Sequence, residues 1–568
     1  MNKVCIIGLD GGTFTVIDYL AGQARLPNFS RLMAEGARAP LMSSIPPITP
    51  PAWSSFYMGT NPGKHGSVGF FRFRPGTYRL EPMNANTVRG TSLWSLASGE
   101  KRRVCVYDVP VTYPASPLNG VMISGMDAPR FDDRSVFPAG QRQKILDAIP
   151  NFDISSAVDY RHLARHHPDP EAECIHQLQV HLEVEVAAVT YLMEQDDWDL
   201  FVAVFRSTDI FQHIFWDSTA RVMAGAPLAG DERRAEAVFD VYERIDEEIG
   251  GRWREWLKGR DLVIMSDHGF GELKSEVCLN RFLAQAGLLE FQAGGGSGRS
   301  RRVIKDKLKD HLPRTARQRL KRVVGRDDTD RRWSLFADSL ISDIDFTRTR
   351  IFSIAQYGCL YVNHRGRNAL APVEGETGRQ AVMSETERAL SLFSDPENGG
   401  PLVSKIYRRE ELYHGPLMEE MPDLVVELQD YAYLGIYNTA EELAQEKIVC
   451  GPPRQLGSLS YTGTHRREGI LVLSGPGVRR TRLQTANIVD IAPTVARLMG
   501  LPMLAEWDGR ILKEVLMVSE EENVQQSAIP GSHEGQARSG DERLEGGAGY
   551  AEEDEEEIRR RLRNLGYI

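Results

Sequence analysis

Seven side chains able to carry metal or phosphoryl chemistry stand at the ends of apolar runs or at a helix start: Asp10, Thr49, Asp209, His213, Asp267, His268 and His465. Asp267 and His268 follow the run DLVIM and precede Gly269, so two adjacent metal donors meet a tight turn, a sharper signal than either residue alone. Asp209 and His213 are four apart, which puts both on one face of a helix and lets them share an ion. The same spacing also serves a plain surface hydrogen bond. Asp10 closes the run VCIIGL before Gly11 and Gly12, as a ligand at a sheet edge or as a turn former. Thr49 precedes Pro50 and Pro51 in IPPITPPAWSSFYMGTNPGKHG. Proline suits a first helical turn and threonine suits an N-cap, so this hydroxyl is expected among unpaired N–H groups at the positive helix end. A phosphate or alkoxide is stabilised there, and Thr49 reads as a nucleophile or as a simple cap. His65, in the loop after that helix, reads as a structural residue.

The elements that must position these groups alternate. Continuous apolar runs at 4–9, 104–109, 120–124, 199–205, 261–265 and 469–474 read as buried strands. Helical periodicity covers 26–36, 175–193, 233–257 and 488–499. This order predicts an α/β fold, a doubly wound and mostly parallel sheet whose carboxyl edge gathers Asp10, Asp209 and Asp267. The expected organisation is a catalytic core over 1–285, an inserted α+β cap over 286–445, a second core part over 446–518, and a tail over 519–568. Strand-like segments at 351–362 and 424–428 support the cap. The cap begins with a glycine-rich link and a basic segment, 299–332, which is a solvated insertion or a contact for a membrane surface or anion. Residues 519–549 are polar and glycine-rich, a disordered linker, whereas 552–565 favours a helix with an apolar stripe of Ile558, Leu562 and Leu565. That stripe could dock on the body or on a protein partner.

A net charge of -11 over 568 residues argues against nucleic-acid binding. Six scattered cysteines, Cys5, Cys105, Cys174, Cys278, Cys359 and Cys450, show neither zinc-knuckle nor disulfide spacing. The first apolar run is too short for a signal peptide and no later stretch reaches the length of a membrane span, so the expected location is cytoplasmic.

Together the motifs GLDGG, PPITPPAWSSF, STDIFQH, SDHGF and GTH, in this order, resemble the alkaline phosphatase superfamily, closest to its type I phosphodiesterase and nucleotide pyrophosphatase family. The resemblance covers most of 1–285 and 445–515; the cap matches loosely. It implies the alkaline-phosphatase-like fold and two divalent ions, zinc by donor type, with manganese or iron also compatible. Asp10, Thr49, Asp267 and His268 would hold one ion, and Asp209, His213 and His465 the other. It further implies that Thr49 attacks phosphorus and forms a phospho-threonine that water hydrolyses, the ions sitting roughly 4 Å apart. Two departures matter. The C/S-x-P-x-R pattern of sulfatases is absent, since Pro51 and Trp53 follow Thr49 at those places. The Asn that holds a phosphate oxygen in nucleotide pyrophosphatases is replaced by Phe70, with Arg206 or Lys274 as candidate substrate-binding cations. The expected activity is phosphodiester hydrolysis of a small substrate. The alternatives are a phosphomonoesterase or phosphoglycerate-mutase-like phosphotransferase and, in another class, a weakly active module recognising phospholipid or polyanion.

Overall fold

A computed structural model describes residues 2–154, 163, 167–292, 341, 344–354, 357–369, 371–396, 399–436, 448–449, 455–456, 459–517 and 550–564. The glycine-rich link, the basic segment 299–332, Cys450 and the linker 519–549 lie outside them.

Every residue of the Val4–Leu9 strand is buried. An apolar run with no solvent face belongs in the middle of a sheet covered on both sides. Val4–Leu9 lies there, parallel to Leu200–Phe205 on one side and to Asp261–Met265 on the other. Outward from Leu200–Phe205 come Val104–Val109 and Gly120–Ser124, both parallel, then the short antiparallel Val136–Phe137. On the opposite flank Glu468–Ser474 runs antiparallel between Asp261–Met265 and Ala37–Met42, completing a mostly parallel ten-stranded sheet with the short edge strands Thr481–Arg482 and Ala486–Asn487.

The two-residue period of a strand divides the core in two. Cys5, Ile7 and Leu9 pack with residues of the helices Phe14–Gly22, Pro170–Gln195 and Asp231–Gly250. Val4 and Ile6 pack on the other face with Thr49–Met58 and Ile491–Met499. Gly8 faces this second layer, and a Cβ there would meet Trp53 Cη2 at 2.4 Å, so glycine is what lets the helix that carries Thr49 approach the central strand. The single helix expected over 233–257 is two, Asp231–Gly250 and Arg254–Leu257. The break falls at Gly250, where Asn28 packs so closely that a Cβ would overlap its amide.

In the insertion, Ile351–Ser353, Cys359–Val362, Leu424–Leu428 and Val403–Arg408 form an antiparallel sheet in that order, with the helix Gly375–Ser391 beside it. Asp508 ties three parts of the chain together. Its backbone N–H donates to Gly59 O at 2.8 Å, and its carboxylate accepts from Asn61 N at 2.8 Å, Asn61 Nδ2 at 2.8 Å, His414 Nε2 at 2.9 Å and Lys64. Among the described residues no helix is long and apolar enough to cross a membrane.

Candidate active site

The carboxyl ends of three adjacent strands build the site. Val4–Leu9 delivers Asp10, Asp261–Met265 delivers Asp267 and His268, and Leu200–Phe205 runs into the helix Ser207–Met223 that carries Asp209 and His213. Gly11 turns with φ +65°, and a Cβ on it would lie 2.9 Å from Phe270 and 3.2 Å from Asp209 Oδ1. Only glycine combines that conformation with that closeness, and it lets Gly11 N donate to Asp267 Oδ1 at 3.2 Å. Trp53, one helical turn after Thr49, donates Nε1–H to Asp10 Oδ2 at 3.2 Å. Thr208 Oγ1 and Gln212 Nε2 donate to the Asp10 and Gly11 carbonyls at 2.5 and 2.9 Å.

His465 arrives from nearly two hundred residues beyond His268. Gly463–Arg466 pairs antiparallel with Gly269–Glu272, His465 opposite Phe270, so the ladder lays the imidazole against the strand ends. Its Nε2 stands 3.3 Å from Asp209 Oδ1, as does that of His213. The ring of Tyr357, from the inserted region, lies 5.2 Å from that of His465, and its hydroxyl is 3.3 Å from Thr464 Oγ1.

Two groups of donors result, Asp209 with His213 and His465, and Asp10 with Asp267 and His268, each with its donor atoms within 4.8 Å and every residue buried. Thr49 Oγ1 lies beside the second, 3.4 Å from His268 Nε2. The threonine is not an N-cap as expected. Ile48 takes that place, no side chain caps the helix, and Thr49 is its first residue. Nor is the hydroxyl set among free N–H groups: Pro50 and Pro51 have none, and Ala52 N is bonded to Ile48 O at 3.1 Å. Beyond the N–H of Thr49 itself, the helix end therefore offers little to an oxyanion.

The donor set fits divalent metal on three observations. His213 Nδ1 donates to Gly463 O at 2.9 Å, His465 Nδ1 to Pro47 O at 2.8 Å and His268 Nδ1 to Gly269 O at 3.1 Å. A carbonyl can only accept, so in each of the three imidazoles, when neutral, the lone pair is on Nε2, and the Nε2 atoms of His213 and His465 face each other at 3.1 Å. A cation between them turns that repulsion into ligation. Second, Asp10 Oδ1 and Asp267 Oδ2 are buried with no hydrogen-bond partner. Third, burial, and then the neighbouring Asp267 and Asp209 charges, push the Asp10 carboxyl well above its usual range; burial does the same to Asp267. Burial also opposes the charge on Asp209, yet His213 and His465 hold its carboxyl well below the ordinary value. Burial, and next His465, keep His268 neutral. Uncompensated carboxylates so placed call for positive charge.

Residues 4–434 match the sequence profile of the type I phosphodiesterase / nucleotide pyrophosphatase family. The chain belongs to that family. The type I phosphodiesterases depend on divalent metal, and this member is a hydrolase of phosphate esters. The matched span stops before His465, which the strand pairing of Gly463–Arg466 with Gly269–Glu272 brings to the rest of the site. In three dimensions the chain is similar to human ectonucleotide pyrophosphatase/phosphodiesterase 5, at 11% identity and TM-score 0.48, over 91% of this chain and 100% of that one. It is also similar to phosphonoacetate hydrolase from Sinorhizobium meliloti 1021, solved with phosphonoformate, at 14% identity and TM-score 0.50, over 88% of this chain and 95% of that one. These likenesses concern the fold. No curated protein sequence matches the chain.

Of the two cations considered for substrate, Arg206 is buried, with Nε bonded to Asp108 Oδ2 at 2.7 Å and Nη1 without a hydrogen-bond partner. Lys274 is exposed. His65 is structural: Nδ1 accepts from Ser67 N at 3.1 Å, Nε2 faces Ser55 Oγ at 3.0 Å, and burial drives its pKa down to about 3. Trp53, Gln212 and Tyr357 escaped sequence reasoning. For Trp53 the signal was present, since the four-residue spacing from Thr49 puts it on the same helix face.

Proposed function

We propose that the protein is a two-metal phosphodiesterase in which Thr49 is the nucleophile. The observation that carries the reading is the meeting of His213 and His465 Nε2 atoms 3.1 Å apart at Asp209, beside a second donor group that borders Thr49 Oγ1. Asp10, Asp267 and His268, with Thr49, would hold one ion; Asp209, His213 and His465 would hold the other. Their nitrogen and carboxylate donors suit zinc. Bound, the pair would lower the pKa of the threonine hydroxyl and stabilise the attacking and leaving oxygens of an in-line displacement.

The chain's own residues do the rest. The buried helix fixes Thr49 Oγ1, Trp53 orients Asp10, and the Gly463, Pro47 and Gly269 carbonyls hold three imidazoles in the tautomer that presents Nε2. Attack of Thr49 Oγ on phosphorus breaks the bond to the leaving alcohol, which takes up the proton, and leaves a phospho-threonine still bearing the second ester group; water then hydrolyses it, restoring the threonine hydroxyl and releasing the monoester. Arg206 is the better candidate to meet a phosphate oxygen, being buried, three residues before Asp209 and partnerless at Nη1. We read the protein as cytoplasmic, in keeping with the absence of a disulfide among the five described cysteines, all buried.

The test pairs turnover with metal content. Thr49→Ala is expected to lower hydrolysis of bis-p-nitrophenyl phosphate by at least about 1,000-fold, the scale of losing a nucleophile, while still binding zinc. Undiminished turnover at normal metal loading would remove Thr49 from the mechanism. A parent protein that prefers p-nitrophenyl phosphate to the diester would make it a monoesterase instead.

A further inference from the structure

The C-terminal helix Glu552–Asn564 docks on the body through two residues of the stripe expected from its sequence, Ile558 and Leu562, which are buried in the same core cluster as Phe70, Tyr113 and Met126; the third, Leu565, lies outside the described residues. Its fastening is extensive. The Tyr550 ring stacks on Tyr113 at 5.6 Å, and its hydroxyl donates to Asp127 O at 2.9 Å. Arg559 donates to Leu80 O at 2.7 Å. Arg561 donates to the carbonyls of Met126, Ala128 and Pro129 at 2.9, 2.7 and 2.9 Å, while Glu557, one helical turn before it, pairs with Arg560.

The helix closes a trough over the first turn of the helix that carries Thr49. Between Ile558, Arg561 and Leu562 on one side and Pro50, Phe70 and Val111 on the other remains a cavity of about 20 Å³, room for roughly one water. Pro50 is the residue after Thr49, and Phe70 stands where the family resemblance expects a phosphate-holding Asn. Val111 has φ +64°, a strained conformation for a β-branched residue. The Asp127 carboxylate secures it by accepting from Val111 N at 2.9 Å, Thr112 N at 3.3 Å and Tyr113 N at 2.7 Å. Into this space faces Arg561, 2% exposed, whose Nε–H has no hydrogen-bond partner. Strain held by a dedicated carboxylate and a buried donor lacking an acceptor both mark a binding subsite rather than plain packing.

We propose that Ile558 and Leu562 set the size of the substituent that the ester carries beside Thr49, so that the last helix is a wall of the substrate site. The wall admits a small substituent with an oxygen acceptor for Arg561 Nε and turns away bulky aromatic groups. This inference rests on the phosphodiester reading above and adds the substrate's non-reacting arm to it.

The probes are p-nitrophenyl phosphodiesters with a common leaving group and a methyl, phenyl or 1-naphthyl second substituent. In Leu562→Ala and Ile558→Ala the naphthyl-to-methyl ratio of kcat/KM is expected to rise about tenfold or more, the scale of pocket discrimination by a methylene or two. Leu562→Phe should lower the phenyl-to-methyl ratio. Limited trypsin digestion, reading the arginines of the helix, reports whether it stays docked. An undocked helix also removes the wall, so an unchanged ratio overturns the proposal in either state. Calorimetric binding of methyl and naphthyl phosphonates gives the same ratio without turnover. A parent protein that binds these ligands with the expected selectivity but hydrolyses no diester would sink the phosphodiester reading and leave the wall standing.

Discussion

Asp508→Asn replaces the carboxylate that joins the loop after the Thr49–Met58 helix, through Asn61 and Lys64, to His414 of the stretch read as an insertion. The amide is nearly isosteric, so the change removes charge rather than volume. In the fold the Asp508 carboxyl is partly desolvated, but Lys64, Asn61 and His414 together draw its pKa from 3.8 down to about 2. A pKa unit is worth about 1.4 kcal/mol, which gives a ceiling near 2.5 kcal/mol. Lys64 is partly and His414 largely exposed to solvent, and screening reduces the expected loss to about 1 to 2 kcal/mol at pH 7. Because the folded pKa is depressed, the stabilisation is complete above the unfolded value and disappears as pH falls through about 2. Urea unfolding of both proteins at pH 7 and pH 3 measures it, and at pH 3 the difference should be about half that at pH 7. A difference that is absent at pH 7, or undiminished at pH 3, would refute the account of Asp508 as a charged tie.

Two further outcomes test the core and the metal site. Gly8→Ala places a methyl 2.4 Å from Trp53 Cη2 in a closed core, which should cost about 1 to 3 kcal/mol. Because a displaced Trp53 releases Asp10, zinc competition titration should show weaker binding as well, and wild-type values on both counts would contradict the packing argument. His465→Ala leaves Asp209 and His213 as the only protein donors of their group, so metal analysis should fall from two ions per chain to one; two ions held at parental affinity would exclude this histidine as a ligand.

Much of the framework was legible because buried strands announce themselves. Val104–Val109, Gly120–Ser124, Asp261–Met265 and Leu424–Leu428 are apolar, β-rich runs between turn residues, and their limits coincide with those read from sequence. The candidate site was legible as residue types at strand ends, and the fold gathers Asp209, His213 and His465 in one group and Asp10, Asp267 and His268 in the other. Sheet order was not, since nothing local tells Asp261–Met265 to lie beside Val4–Leu9 rather than farther out. Thr49 misled as a cap: the preference for threonine at that place is statistical, and the two prolines after it remove the donors that would have rewarded it. The glutamate and arginine pattern of the last helix showed a helix, but not that Arg561 would forgo Glu557 for three backbone carbonyls, because only the assembled surface supplies them.

The place of Glu468–Ser474 in the sheet bears on how the protein is made. That strand sits between Ala37–Met42 and Asp261–Met265, both of which leave the ribosome long before it. Until residue 474 has emerged, Ala37–Met42 cannot join its flank of the largest sheet, and Asp261–Met265 keeps a row of unpaired N–H and C=O groups. The same late segment brings His465, so the sheet flank and the donor group are completed together. A chain that stops short of this segment therefore exposes a strand edge prone to association while lacking the third donor of the Asp209 group.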